Sequence, residues 1–120
     1  MANPFVHVEL ASTDVGKAKN FYGKLFDWKL EDSDMDGFTY TMVGVGEGTG
    51  GGMMKHPMPG APSMWLAYVL VDDIHAATKK AAALGATVMK DVTEVMDMGS
   101  LSIIVDPTGA MLGLWMPKKR

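Results

Sequence analysis

The chain has 120 residues, 48% hydrophobic and 21% charged, with a formal net charge of −3 and no cysteine. That length suits one domain, or two small halves sharing one core. The acidic balance argues against nucleic acid as a partner, and the lack of cysteine excludes disulfides, thiol nucleophiles and thiolate metal sites.

The opening MANPFVHVEL has neither the charged start nor the long apolar stretch of a secretory signal. Nothing in the chain approaches the roughly 20 apolar residues of a membrane helix, so a cytoplasmic protein with no membrane partner is expected. The first strand-like run is FVHVELASTD, residues 5–14. Side chains alternate across a strand, so Val6, Val8 and Leu10 share one face and His7 and Glu9 the other. If the Val/Leu face packs on the core, the His/Glu face looks into water, a cavity or a metal site. A carboxylate facing a cavity needs a polar partner, and His7 is the nearest in sequence.

STDVGKAKNFYGKLF (12–26) places Val15, Ala18, Tyr22 and Leu25 at helical spacing, and VDDIHAATKKAAALG (71–85) does the same with Ile74, Ala77, Ala81 and Leu84. Each residue of the second set lies 59 positions after its counterpart, as does Asp73 after Asp14. These two carboxylates stand where a helix N-terminus favours negative charge. The same offset pairs Glu47-Gly48-Thr49-Gly50 with Asp106-Pro107-Thr108-Gly109, both read as turns between neighbouring strands. Each helix follows a strand, FVHVEL or MWLAYVLV. Each precedes three more strand-like runs: FDWKLE, FTYTMVGV and GGMMK, then ATVMK, SLSIIV and AMLGLWM. The chain reads as β-α-β-β-β written twice. Module one spans about 1–55, the proline-rich bridge about 56–63, and module two about 64–120.

GEGTGG (46–51) fits the dinucleotide pattern G-x-G-x-x-G, but GMMKHPMPG follows where a phosphate-binding helix is required, so a Rossmann site is rejected. Twelve methionines suit an adaptable apolar surface as well as a tolerant core.

Two βαβββ units with a bridge after the first resemble the vicinal oxygen chelate superfamily, which includes glyoxalase I, extradiol dioxygenases and the bleomycin- and fosfomycin-resistance proteins. The residues that carry this are FVHVELASTDVGKAKNFYGKLFDW, WLAYVLVDDI and DPTGAMLGLW, and the likeness runs over nearly the whole chain. It looks like the glyoxalase/bleomycin-resistance branch. The resemblance implies an α+β fold, two tandem βαβββ modules forming a cupped eight-stranded mixed sheet with helices on the outer face. Many relatives pair their modules across a two-fold axis, and sheet edges need covering; a homodimer is expected.

In that superfamily each half supplies two metal ligands from its first and last strands. His7 stands where the first-strand histidine is found, and the 59-residue offset gives Leu66. On the last strand the glutamate position holds Gly113, and its first-half partner by the same offset is Met54. Leucine and glycine offer no donor atom and a thioether is too soft for such a site, so the metal site reads as degenerate and no cofactor is expected. Displaced ligands are the alternative: His7, Glu9 and His56 form a two-histidine, one-carboxylate set for a divalent metal.

Tyr68 is the offset partner of Glu9, while Met111, Gly113 and Trp115 share one strand face. The leading expectation is a small-molecule-binding protein. It holds an apolar or aromatic ligand among His7, Glu9, Met54, Leu66, Tyr68, Met111, Gly113 and Trp115, with open space at Gly113. The competing class is an enzyme: either a metal-dependent lyase, isomerase or dioxygenase using displaced ligands, or a metal-free one with Glu9 or His7 as general base. A third is a bare interaction module whose cup its own side chains fill.

Overall fold

The computed structural model describes residues 3–35 and 37–118. The chain is α+β, with eight strands and two helices among the described residues, in two βαβββ modules. It divides into two compact units, one of residues His7–Leu66, the other of the residues up to Val6 with those from Ala67 onward. Among the described residues no helix is long and apolar enough to cross a membrane.

The first module runs β1 (Phe5–Ser12), α1 (Val15–Leu25), β2 (Lys29–Met35), β3 (Phe38–Gly44) and β4 (Gly51–Lys55). Its strands lie in the order β2-β3-β4-β1. The β2/β3 and β3/β4 pairs are antiparallel, and β4 pairs with β1 in parallel. Asp14 caps α1, its carboxylate accepting from Lys17 N at 3.0 Å, which satisfies one of the orphan donors of the first turn. Leu10, Val43 and Met53 are buried together, with Val15, Ala18, Tyr22, Trp28, Leu30 and Val45 packed on them. Burying such side chains contributes roughly 1.5–3 kcal/mol each. The Val/Leu face of β1 is thus the helix-side face. Strand β2 begins three residues later than FDWKLE suggests, because Phe26 and Trp28 stack on Tyr22 instead of entering the ladder.

The second module runs β5 (Met64–Leu70), α2 (Ile74–Ala83), β6 (Thr87–Val95), β7 (Gly99–Val105) and β8 (Met111–Pro117). Its order is β5-β8-β7-β6, with β5 and β8 parallel and the other pairs antiparallel. Asp73 caps α2 as Asp14 caps α1, accepting from Ala76 N at 3.1 Å. Ile74 is fully buried under the helix. Beside it Thr78 Oγ1 donates to Ile74 O at 2.6 Å and lies 2.8 Å from Ser102 Oγ. The single Thr78 proton is committed to the carbonyl, so Ser102 donates to Thr78. The first residues of the chain join this unit: Asn3 Nδ2 donates to Leu70 O at 2.8 Å, and Leu70 N donates to Pro4 O at 2.9 Å.

The 59-residue offset does not hold to the end of the modules. Glu9 stands opposite Gly52 on β4, while its counterpart Tyr68 stands opposite Gly113 on β8. The step from Gly52 to Gly113 is 61. The change enters in the β6–β7 hairpin, where the ladder slips between Val88 and Lys90 and again between Lys90 and Thr93. Three residues also separate the last ladder pair Val95–Gly99, against two between Met35 and Phe38 in the first module. The expected pairing of 47–50 with 106–109 is therefore displaced by two: Gly109 (φ 99°) corresponds to Gly48 (φ 100°), both in the left-handed region that a side chain resists.

Candidate functional site

In the first unit, Leu10 packs on residues of α1, so alternation puts Val8 on that face and His7 and Glu9 on the opposite one. The ladders show what accompanies them. Glu9 is level with Gly52 and Ala11 with Met54 on β4, and Gly52 is level with Met42 on β3. Met42 and Tyr40 then share their face with Glu31, Ser33 and Met35 of β2 and with Phe38.

Tyr40 is buried, and its hydroxyl joins the two first-strand residues. It donates to Glu9 Oε1 at 2.9 Å and lies 2.7 Å from His7 Nε2. A phenol has one proton to give, and here it goes to the carboxylate. The close contact to His7 therefore requires a hydrogen on Nε2, which the imidazole donates to Tyr40. The result is a directional chain from His7 through Tyr40 to Glu9. Burial pushes the His7 imidazole below its ordinary 6.5, toward the neutral form.

Gly52 makes this chain sterically possible. A Cβ at 52 would overlap Cε2, Cζ and Oη of Tyr40, so the ring crosses β4 only because that position has no side chain. The second unit repeats the arrangement with different partners. Tyr68 is buried, and its ring lies over Gly113, where a Cβ would overlap Cγ, Cδ2 and Cε2. The open space expected at Gly113 is thus filled by Tyr68, a correction to the sequence reading. Trp115 stands opposite Leu101 and covers Gly99, whose Cβ would meet its Cζ2 at 2.8 Å. Met111 is half-buried opposite Val105, Leu66 is buried on β5, and Met54 is half-buried on β4.

Two of the positions where the superfamily resemblance puts metal ligands carry glycine or leucine. By ladder position the first-half counterpart of Gly113 is Gly52, not Met54, so glycine occupies both last-strand positions and a tyrosine ring covers each. A carboxylate fits at neither without displacing that ring, and Leu66 offers no donor. The displaced set His7, Glu9 and His56 is spread along the strands. β1 and β4 run parallel, with Val8 level with Gly51 and Ser12 level with Lys55. His56 lies just beyond, its N donating to Ser12 O at 2.9 Å and its Nδ1 accepting from Met58 N at 3.1 Å. Four residues of strand rise stand between it and Glu9 and six between it and His7, roughly 13 and 20 Å. Among the described residues no three of His, Cys, Asp and Glu are grouped to hold a metal ion.

Sequence reasoning missed Tyr40 and Gly52. Two signals were available: glycines inside a strand, GGMMK, mark a close approach by another group, and Tyr40 has the same parity in β3 as Phe38 and Met42.

Paired βαβββ modules, each with its last strand parallel to its first, define a glyoxalase-like fold of the vicinal oxygen chelate class. Residues 5–114 match the model of the Glyoxalase/Bleomycin resistance protein/Dioxygenase superfamily, and the chain belongs to it. CFP32 of Mycobacterium tuberculosis, which carries a provisional glyoxylase name, is 37% identical over 120 residues, covering 93% of this chain and 45% of that protein. The anthracycline biosynthesis protein DnrV of Streptomyces peucetius is 26% identical over 122 residues, covering 89% of this chain and 44% of its own. The chain spans less than half the length of these relatives. Among solved structures, methylmalonyl-CoA epimerase from Mycobacterium tuberculosis matches with a TM-score of 0.72 at 16% identity, over 96% of this chain and 88% of that one. The hypothetical protein BH1468 of Bacillus halodurans gives 0.74 at 15%, over 100% and 98%. At such identities the likeness is one of fold.

Proposed function

We propose that this chain binds a small apolar or aromatic molecule without a transition metal, on the sheet face that carries His7, Tyr40 and Glu9. One observation carries the reading: a hydrogen-bonded polar chain, half-buried at His7 and Glu9, occupies the face on which the superfamily resemblance puts metal ligands. Polar groups held this way suit orientation of one polar atom of a ligand, while Phe38, Met42 and Met54 supply apolar contact on the same face. The name of the anthracycline relative points to the same planar, aromatic class of molecule.

Catalysis without a metal is the second reading. It rests on the same chain, in which the Glu9 carboxylate polarises the Tyr40 hydroxyl against the His7 imidazole, as a general base requires.

The test is metal analysis of protein purified without chelator, together with calorimetric titration of a panel of planar aromatic compounds. Far less than one equivalent of metal is expected, with binding that Tyr40→Phe weakens at least tenfold while the far-ultraviolet spectrum is unchanged. A full equivalent of Ni, Zn, Fe or Mn that disappears in His7→Ala would overturn the proposal. Binding that ignores Tyr40→Phe would move the ligand elsewhere. Turnover of a bound compound, abolished by Glu9→Gln, would favour the catalytic reading.

A further inference from the structure

The two modules fill the space between helix and sheet differently. In the first, Tyr22 packs on the cluster of Leu10, Val43 and Met53. The 59-residue offset between the helices puts Ala81 at the place of Tyr22, Ala77 at that of Ala18 and Leu84 at that of Leu25. Past the slips in β6 the offset is 61, so Ile104 corresponds to Val43 and Leu114 to Met53. Where the first module has a phenol ring, the second has a methyl group. Gly85 and Thr87 stand at the places of Phe26 and Trp28, so no other ring replaces it. The space stays open. A cleft of about 360 Å³ is lined by Ala77, Ala81, Leu84, Ile104 and Leu114. All but Leu84 stand at the places of Ala18, Tyr22, Val43 and Met53, which in the first module form one packed cluster.

Size and charge indicate the occupant. The volume lies at the low end of the roughly 300–1,000 Å³ range of small-molecule pockets, which suits a single substituted ring. Ile104 and Leu114, 8% and 7% exposed, give the cleft an apolar floor held in place by the sheet. Its rim is charged: Asp72 and Asp73 stand at the start of α2 and Lys80 two turns further on, all exposed. Asp73 already answers the positive end of the helix by accepting from Ala76 N. Asp72 has no such duty, and among the described residues neither it nor Lys80 is in an ion pair. Two carboxylates against one ammonium favour a cationic group at the Asp72 end, with the apolar part of the ligand on the floor beside Ala81.

We propose that this cleft binds a small molecule with one aromatic ring and a cationic amine. The ring takes the place that Tyr22 holds in the first module, and the amine faces Asp72. The site shares no residue with the His7–Tyr40–Glu9 face and does not rest on the function proposed for it. Tyramine carries the same phenol as Tyr22 and serves as the probe. Amide-resolved NMR titration of the full chain with tyramine, to several millimolar, should shift Ala77, Ala81 and Leu84 saturably. The neutral p-cresol and the anionic 4-hydroxyphenylacetate should each bind more weakly. Asp72→Asn should weaken tyramine about threefold, as loss of an exposed ion pair does, and leave p-cresol unchanged. Ala81→Tyr restores the ring of the first module and should abolish the shifts at Ala77 and Leu84, with an unchanged far-ultraviolet spectrum. If Ala81→Tyr does not fold, Ala81→Leu, which fills part of the same space, should weaken tyramine instead. No saturable shift with any of the three probes overturns the proposal, as does unchanged binding to whichever Ala81 variant folds. Tighter binding of the anion than of tyramine overturns the assignment of the amine to Asp72.

Discussion

The Tyr68 ring occupies the space that a side chain at Gly113 would need. The contact falls on the body of the ring, at Cγ, Cδ2 and Cε2, and Tyr68 is itself buried, so the ring has little room to retreat. Gly113→Ala is therefore expected to destabilise the fold by about 1–3 kcal/mol, the usual cost of overpacking. Gly113→Leu should prevent folding. Urea unfolding of the alanine variant checks this, and a loss below about 0.5 kcal/mol, the range of an ordinary surface change, would contradict it.

The hydroxyl of Tyr40 serves two neighbours. Tyr40→Phe removes the donor to Glu9 and the acceptor for His7 in one step, so two half-buried polar groups each lose a hydrogen bond. A loss of about 1–3 kcal/mol is expected. Tyr40→Phe should also reduce the dependence of stability on Glu9→Gln, because part of that dependence passes through the hydroxyl. A double-mutant cycle in urea measures the coupling.

His7 gives stability a pH dependence with a definite sign. Burial lowers its folded-state pKa below the 6.5 of the free side chain, so between those two values the unfolded chain binds more protons. Stability from this residue is complete above 6.5 and is lost as the pH falls through the lowered value. Urea midpoints should drop between neutral pH and about 5, and His7→Asn should flatten that part of the curve. A wild-type midpoint that rises on acidification would refute the assignment.

Thr78 and Ser102 form a buried hydroxyl pair between α2 and β7, 4% and 0% exposed. Thr78→Val keeps the shape but leaves the Ser102 proton without its acceptor, at an expected cost of about 1–3 kcal/mol. Ser102→Ala removes donor and need together and should cost less. The order of the two melting temperatures decides the matter.

The parts of this fold that local chemistry controls were readable from the sequence. Asp14 and Asp73 mark the helix starts because a capping carboxylate acts within three residues, and GGMMK (51–55) coincides with β4 because alternation and glycine content are local. His7 and Glu9 could be assigned to one face for the same reason. Tyr40 could not be linked to them, because that link joins residues 31 and 33 positions apart across an intervening strand. An aromatic at 40 looks like any strand aromatic until the ladder shows a glycine beside it. The error at Met54 has a different origin. A fixed repeat length assumes equal modules, and the slips in β6 move every later position by two.

The bonds from Asn3 and Pro4 to Leu70 bear on how the chain can be divided. A cut in the proline-rich bridge would separate the two repeats of the sequence but not the two compact bodies, since residues up to Val6 belong with those from Ala67 onward. A fragment that begins at the bridge lacks the backbone that completes its first strand. Half-length fragments are thus poor stand-ins for an ancestral single module, and a circular permutant that joins the present termini and opens at the bridge would carry residues 3–6 onto the end of the second repeat. In that permutant the segment would follow the body it stabilises instead of preceding the other one.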